Sequence, residues 1–460
     1  MADSDVNEHY LNRVVEIAET AGVEATEDIV TGTGIKLVAK GARIDARFKE
    51  RLLQHKLSKP LETSVRVVNG VGPRPIDKVA EALLDKHALL TGVCGGATAR
   101  LVARALHDLR LSTPMESLLS VYAAQGPHKL EHAVGVSLLS AALYYDLPEG
   151  AGRGMHTLML AGLMHDVGEL YIDPAFLQVG TRLTPEQWKH LAAHPIIGSR
   201  VLRDMPGAGP LVAEAVLYHH ERLDGFGYPH GLRHARFPMA GQVLALAEML
   251  MSLIESGRSP GERVSIATRL VPGEFNRHLI DRVSAAAKAA VGSDLAEVAL
   301  TSVHTAEELA AMVLGLGATL QRLREIRPSA ESTIRSGGPA LKELMAHVFE
   351  RCERIHQAFS STGLDSHGQQ ELRECLAVME PQMHFEVAIV LREIEWRLRE
   401  VKRETRLRSE RLPAAEAAFV LELVERGKAS EAKSASEKPP SHELQAQAAL
   451  QLASTGICPR

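Results

Sequence analysis

Along most of this chain, apolar residues return every three or four positions, the period of helices that bury one face. Near the start, Ile29-Val30 and Ile35-Lys36-Leu37-Val38 flank Gly32-Thr33-Gly34, which predicts a short hairpin. A polar helical stretch follows over Ala46–Leu57, and residues 75–110 read as helix interrupted at Gly92–Gly96. From about 116 to 300 the pattern is helical with informative loops. One helix opens at Gly126-Pro127, where proline suits the first turn, and carries His132, Val136, Leu139 and Leu143 on one face. A second runs from about His156 to Asp166 and stops at Gly168. A third opens at Thr184-Pro185-Glu186-Gln187, the spacing of a capping box. His194-Pro195 falls inside it, where the proline is expected to kink the backbone. A fourth spans Pro210 to about Glu221, and after the loop Asp224–Pro229 another helix runs to about Glu255.

Two apolar seams mark the region 304–408 as a helical bundle. Leu341, Met345, Val348, Cys352, Ile355 and Phe359 form one, and Val387, Leu391, Ile394, Leu398 and Val401 the other. Spacings of four and three resemble a coiled coil. The seams could join two copies as a homodimer or pair within one chain. Residues 428–445 are polar and low in complexity, so a disordered tail is expected.

Length and composition fit this division. A chain of 460 residues is too long for one core. The expected architecture is mainly α: a small α+β module at 1–115, an all-helical domain at 116–303, a helical bundle at 304–427 and a tail at 428–460. Aromatic residues make up only 4%, which favours aliphatic helix packing. Net charge is −5, unlike the basic surface that tracks a nucleic-acid polymer. Cys94, Cys352, Cys375 and Cys458 form no CxxC pair, which fits a reducing cytosol. The N-terminus is acidic and has no apolar signal core. The most apolar stretch, about 239–254, is broken by Gln242 and Glu248 and is short for a span, so it reads as a buried helix. A cytoplasmic protein without membrane attachment is expected.

Histidine adds the chemistry. Ten of the 21 histidines fall between His128 and His234. His132 lies on the apolar stripe of its helix and points inward. His165-Asp166 ends an apolar helix, and His219-His220-Glu221 ends another. Imidazoles mixed with a few carboxylates suit iron, manganese, zinc or nickel better than magnesium or calcium. An adjacent His-Asp lets the carboxylate bridge two ions, and two bridged ions can activate a shared water for phosphoryl displacement.

His165-Asp166-Val167-Gly168, His194-Pro195, His219-His220-Glu221 and Asp224-Gly225-Phe226-Gly227-Tyr228-Pro229, in that order, resemble the HD-GYP branch of the HD phosphohydrolases. The resemblance covers about 120–300, with a fainter similarity at 26–62. It implies an all-helical domain with two or three divalent transition metal ions, iron or manganese, and hydrolysis of cyclic di-GMP to pGpG or on to GMP. By position, the implied ligands are His132, His165, Asp166, His194, His219, His220 and Glu248. Asp166 would bridge. His132, His165 and Glu248 would complete one site, and His194, His219 and His220 the other. The loop at Tyr228 resembles the family's structural and partner-binding element, with Tyr228 a candidate substrate contact and Gly225 and Gly227 supplying unusual backbone angles.

The chain departs from the family in several places. The motif usually ends in lysine, a phosphate contact, but here Glu169 stands there, as a catalytic-site ligand or a salt-bridge partner. The late family aspartate falls on Glu248, whose longer side chain can still ligate. A glutamate that some members use for a third metal is His128 here, one turn before His132. Arg258 and Arg263 are the candidate phosphate contacts, and Glu221 is expected to orient a ligating imidazole. Because of Glu169, a receptor that binds the nucleotide without cleaving it is the alternative.

Overall fold

The computed structural model describes residues 6–427, apart from 96, 146, 148–152, 179–180, 182, 257–259 and 299–303. Arg258 and the expected disordered tail therefore lie outside the described residues. The chain is mainly α-helical, as the apolar pattern predicts. The described residues fall into two compact units, divided between Ser256 and residue 257.

The first unit begins with a small mixed module: α1 (Glu8–Thr20), β1 (Val23–Ala25), β2 (Ile29–Val30), β3 (Lys36–Val38), α2 (Ala46–Leu53), α3 (Leu61–Ser64) and β4 (Val65–Val67). The Asn7 side chain caps α1 by accepting the Tyr10 N–H. β2 and β3 form the expected hairpin, with Ile29 opposite Val38. β1 pairs antiparallel with β4, Val23 facing Val67. α2 is shorter than its polar pattern predicts, because Leu57 leaves the helix to bridge Thr31 and is buried.

Next come α4 (Pro73–Lys86), α5 (Ala88–Val93), α6 (Ala97–His107) and α7 (Thr113–Ala123). The break expected at Gly92–Gly96 separates α5 from α6. The core of the unit is α8 (Pro127–Tyr145), α9 (Arg153–Met164), α10 (Pro185–Leu191), α11 (His194–Arg203), α12 (Pro210–Leu217) and α13 (Met239–Glu255). α8 packs against α9 and α13, α9 against α12, and α11 against α12. Every residue from Ala133 to Leu143 of α8 is buried, so that helix is enclosed on all sides.

Three boundaries differ from the sequence expectation, and each one matters to the site. α9 stops at Met164, and the chain passes through His165-Asp166 into a 3-10 turn, Val167–Tyr171. Pro195 does not kink a helix. α10 ends at Leu191 and α11 starts afresh at His194, with Pro195 in its first turn, where the missing N–H costs nothing. α12 stops at Leu217, so His219, His220 and Glu221 lie beyond its end. The capping box at Thr184 and Gln187 is present in both halves.

The second unit holds α14 (Pro260–Leu270), α15 (Arg277–Val298), α16 (Ala306–Ser336), α17 (Pro339–Ser360), α18 (Gln369–Ala377), α19 (Pro381–Ser409) and α20 (Ala414–Arg426). α14 packs on α15 and α19, which groups both α14 and α15 with the bundle although the sequence pattern suggested a boundary near 303. A buried ion cluster accounts for this. Glu274, only 1% exposed, accepts hydrogen bonds from Arg351 at 3.1 Å and from Arg397 at 2.7 Å. Arg397 also reaches Glu393 at 2.9 Å and the Ala267 carbonyl at 2.8 Å. The turn between α14 and α15 is thereby tied to α17 and α19. The two apolar seams meet within one chain, as α17 packs on α19. No helix among the described residues is long and apolar enough to cross a membrane.

Candidate metal centre

Three helix ends supply the imidazoles. The last four carbonyls of a helix have no partner within it. His165 Nδ1 lies 2.8 Å from the Gly162 carbonyl in the last turn of α9. His194 Nδ1 lies 2.9 Å from Leu191 O at the end of α10, and His219 Nδ1 lies 2.6 Å from Val216 O at the end of α12. Each imidazole thus sits three residues beyond a last-turn carbonyl. A carbonyl only accepts, so each Nδ1 carries the proton and each Nε2 keeps its lone pair. His132, within α8, uses a carboxylate instead: its Nδ1 is 3.0 Å from Glu255 Oε2. Glu248 comes from the middle of α13 and is 4% exposed.

These side chains converge in two groups. One is His132, His165 and Glu248, and the other is Asp166, His194, His219 and His220, with ligand atoms inside each group within 4.8 Å of one another. In the first, His132 Nε2 lies 2.9 Å from Glu248 Oε2 and 3.2 Å from His165 Nε2. In the second, His194 Nε2 and His219 Nε2 are 3.1 Å apart. Asp166 faces both. Its Oδ2 is 3.3 Å from His165 Nε2, while its Oδ1 is 3.5 Å from both His194 and His219 Nε2. Tyr122 fixes this carboxylate by donating its hydroxyl to Oδ2 at 3.1 Å.

The donor chemistry fits divalent metal ions. With each Nδ1 proton given to a carbonyl, the Nε2 atoms of His194 and His219 face each other at 3.1 Å and repel unless a proton or a metal ion lies between them. Five imidazoles and two carboxylates suit a transition metal. The electrostatics of the groups differ. Around the first, the carboxylates prevail over burial: Glu255 and Glu248 hold His132 well above the ordinary imidazole range, and Asp166 and Glu248 push His165 up to about 10. In the second, burial and the neighbouring His220 push His219 down to about 3, and burial with His194 lowers His220. Although burial opposes it, His165 holds Asp166 well below the usual carboxylate range.

The surrounding residues hold this geometry. A Cβ on Gly168 would fall 2.0 Å from the His194 carbonyl oxygen, so only glycine lets the 3-10 turn and α11 meet. The loop Asp224–Tyr228 is buried and faces inward, so it supports the site and leaves little surface for a docking partner. Tyr228 does not open towards solvent. Its ring stacks on His220 with centroids 4.6 Å apart. The imidazole that Glu221 faces is not one of the metal groups', contrary to expectation, but that of His230, whose Nδ1 lies 4.0 Å from Oε1. The Glu221 carboxylate accepts the backbone N–H groups of His230, Gly231 and Leu232 at 2.6, 3.0 and 2.9 Å and so pins the loop. Gly227 is needed for close approach, since its Cβ would meet the Glu221 Cα at 2.3 Å.

Of the remaining candidates, His128 joins neither group and lies 3.5 Å from Glu131 Oε2. Glu169 also stands outside both groups, in a salt bridge with Lys129 Nζ. Arg263 belongs to the second unit, where burial lowers its pKa and Glu393 raises it. Three contributors escaped the sequence reading. Glu255 lies seven residues after Glu248, two turns along the same helix face, and Lys129 lies three before His132, so a search for polar residues in register with the ligands finds both. Tyr122 sits on α7 and carries no such signal.

Residues 136–270 match the HD domain family. A cyclic di-GMP phosphodiesterase of Pseudomonas aeruginosa is 33% identical over 165 residues, 35% of this chain and 39% of that protein. One from Thermotoga maritima is 32% identical over 140 residues, 30% of this chain and 37% of that protein. Residues 136–270 are thus similar to an HD domain, and the relatives matched include cyclic di-GMP phosphodiesterases. A 3'3'-cGAMP-specific phosphodiesterase of Vibrio cholerae is 32% identical over 99 residues, 22% of this chain and 23% of that protein. The chain thus spans well under two thirds of the length of these relatives. The HD match at 136–270 contains every side chain of the two metal groups except His132.

Proposed function

We propose that the chain is a metal-dependent cyclic di-GMP phosphodiesterase that yields pGpG, GMP or both. One observation carries this reading: the two oxygens of Asp166 face two separate clusters of imidazole lone pairs. Asp166 would be shared, His132, His165 and Glu248 would hold one ion, and His194, His219 and His220 the other. Two divalent ions held there would polarise a phosphodiester and lower the pKa of a water, so no side chain need act as nucleophile. Iron or manganese suits the ligands best. Two ions are proposed rather than three, because His128 lies outside both groups.

The chain's own residues prepare this chemistry. Last-turn carbonyls accept the Nδ1 protons of three imidazoles and so aim Nε2, the atom a metal needs, into the site. Tyr122 orients Asp166. The Glu169 charge, which favoured a receptor without turnover, is offset by Lys129. The test is incubation of the iron- or manganese-loaded protein with cyclic di-GMP, followed by separation of the nucleotides. Turnover to pGpG or GMP is expected, and tight binding without product would favour the receptor. A second substrate, 3'3'-cGAMP, belongs in the same assay because a relative acts on it. A faster rate on 3'3'-cGAMP would redirect the assignment to that nucleotide.

A further inference from the structure

Lys129 has a position that packing alone does not explain. It lies three residues before His132 on α8, on the same side of the helix. Its Nζ pairs with Glu169 Oε2, three residues beyond Asp166, and stands 5.1 Å from the centre of the Tyr122 ring. Tyr122 in turn donates to Asp166, and the Glu169 N–H donates to the Asp166 carbonyl at 2.9 Å. The ammonium therefore rests on two residues that both touch Asp166. Its side chain keeps 17% of its surface exposed, against 11% for Glu169, so the pair is not sealed from solvent.

Energetics argue against a purely structural pair. Burying an ammonium and a carboxylate costs about as much as their attraction returns. A second argument is charge. Metal ions would offset Asp166 and Glu248, but Glu255 and Glu169 lie outside both groups and add negative charge around a site whose substrate would be anionic. A cation beside them offsets that repulsion. An ammonium carries three rotatable N–H donors, which a carboxylate and a phosphate oxygen can share.

We propose that Lys129 is the residue of this site that contacts the substrate phosphate, delivered from α8 and held in position by Glu169. The lysine that the HD-GYP motif leads one to expect at position 169 is replaced by a charge-reversed pair, with the ammonium arriving from a different helix. This assignment rests on the phosphodiesterase reading, but its test separates the two.

The manganese-loaded full chain is titrated calorimetrically with inorganic phosphate and, separately, with cyclic di-GMP. The variants are Lys129→Met, Lys129→Arg and the double variant Lys129→Met with Glu169→Gln, which leaves no buried carboxylate unpaired. Metal content and melting temperature are measured for each. In the double variant, metal content is expected to stay at the wild-type level and affinity for both probes to fall about tenfold or more, the scale of one lost charge-assisted hydrogen bond. Lys129→Arg is expected to bind within about threefold of wild type, a difference under 1 kcal/mol. A double variant that binds phosphate like wild type with its metal intact overturns the assignment. So does loss of metal in both Lys129→Met variants, which would make the pair a support of the metal groups. If phosphate binding depends on Lys129 while the wild type neither binds nor cleaves cyclic di-GMP, the substrate reading fails and the lysine assignment stands.

Discussion

His132 differs from His165, His194 and His219 in what holds its Nδ1. Those three donate to neutral carbonyls, whereas His132 faces the Glu255 carboxylate at 3.0 Å. A carboxylate behind a ligating imidazole raises its basicity and fixes its ring, and losing one costs about 10–100-fold in metal affinity. Glu255→Gln is therefore expected to weaken metal binding by about tenfold, the lower end of that range. Competition with a chelator measures it, and an unchanged affinity would mean that Glu255 only fills space. Asp166→Ala should have a larger effect, because the residue faces both groups. Both ions and all turnover are expected to be lost, as judged by metal analysis of the purified variant. Glu255 and Lys129 were legible in principle, as polar residues in register with ligands on α13 and α8. Tyr122 was not, because a contact between separate helices leaves no local period in the sequence.

At the scale of elements, the sequence located most helices but misjudged where they end. The ends are where the chemistry lies. His194-Pro195 reads as an interruption, yet proline is equally at home in a first turn, and the packing of α11 on α12 and on the 3-10 turn accompanies the second outcome. α12 was expected to reach Glu221. It stops at Leu217, which frees the Val216 carbonyl for His219 and Glu221 for the loop. Gly168 tests this arrangement. Its replacement by alanine would drive a methyl into the His194 carbonyl and shift α11, at a cost of about 1–3 kcal/mol for overpacking. Denaturant unfolding of Gly168→Ala should show that loss together with reduced metal content. Stability and metal content like wild type would mean that α11 moves aside freely.

The whole molecule joins this centre to a mixed module at its N-terminal side. Arg13 of α1, nearly fully buried, donates to the Glu169 carbonyl at 2.8 Å and lies 3.4 Å from the Ile172 carbonyl. Tyr10 stacks on Tyr171 with ring centroids 5.1 Å apart. The module thus grips the 3-10 turn that follows Asp166. Arg13→Ala is expected to cost about 1–3 kcal/mol, as charged hydrogen-bond donors do when removed, and to make the metal easier to extract with chelator. A loss of stability with unchanged metal retention would confine Arg13 to a structural role. In the second unit the Glu274–Arg397 cluster is its counterpart, a buried ionic core that few sequence patterns announce, because its members come from three separate stretches of chain.

The claim on which the rest depends is that seven side chains from five stretches of chain enclose two ions that share Asp166. An anomalous-difference map of the metal-loaded crystal tests it most directly. Two peaks are expected about 3.5–4 Å apart, the separation of bridged catalytic pairs. One should lie among His132, His165, Glu248 and Asp166, and the other among Asp166, His194, His219 and His220. A single peak, or two peaks that do not share Asp166, would contradict the account.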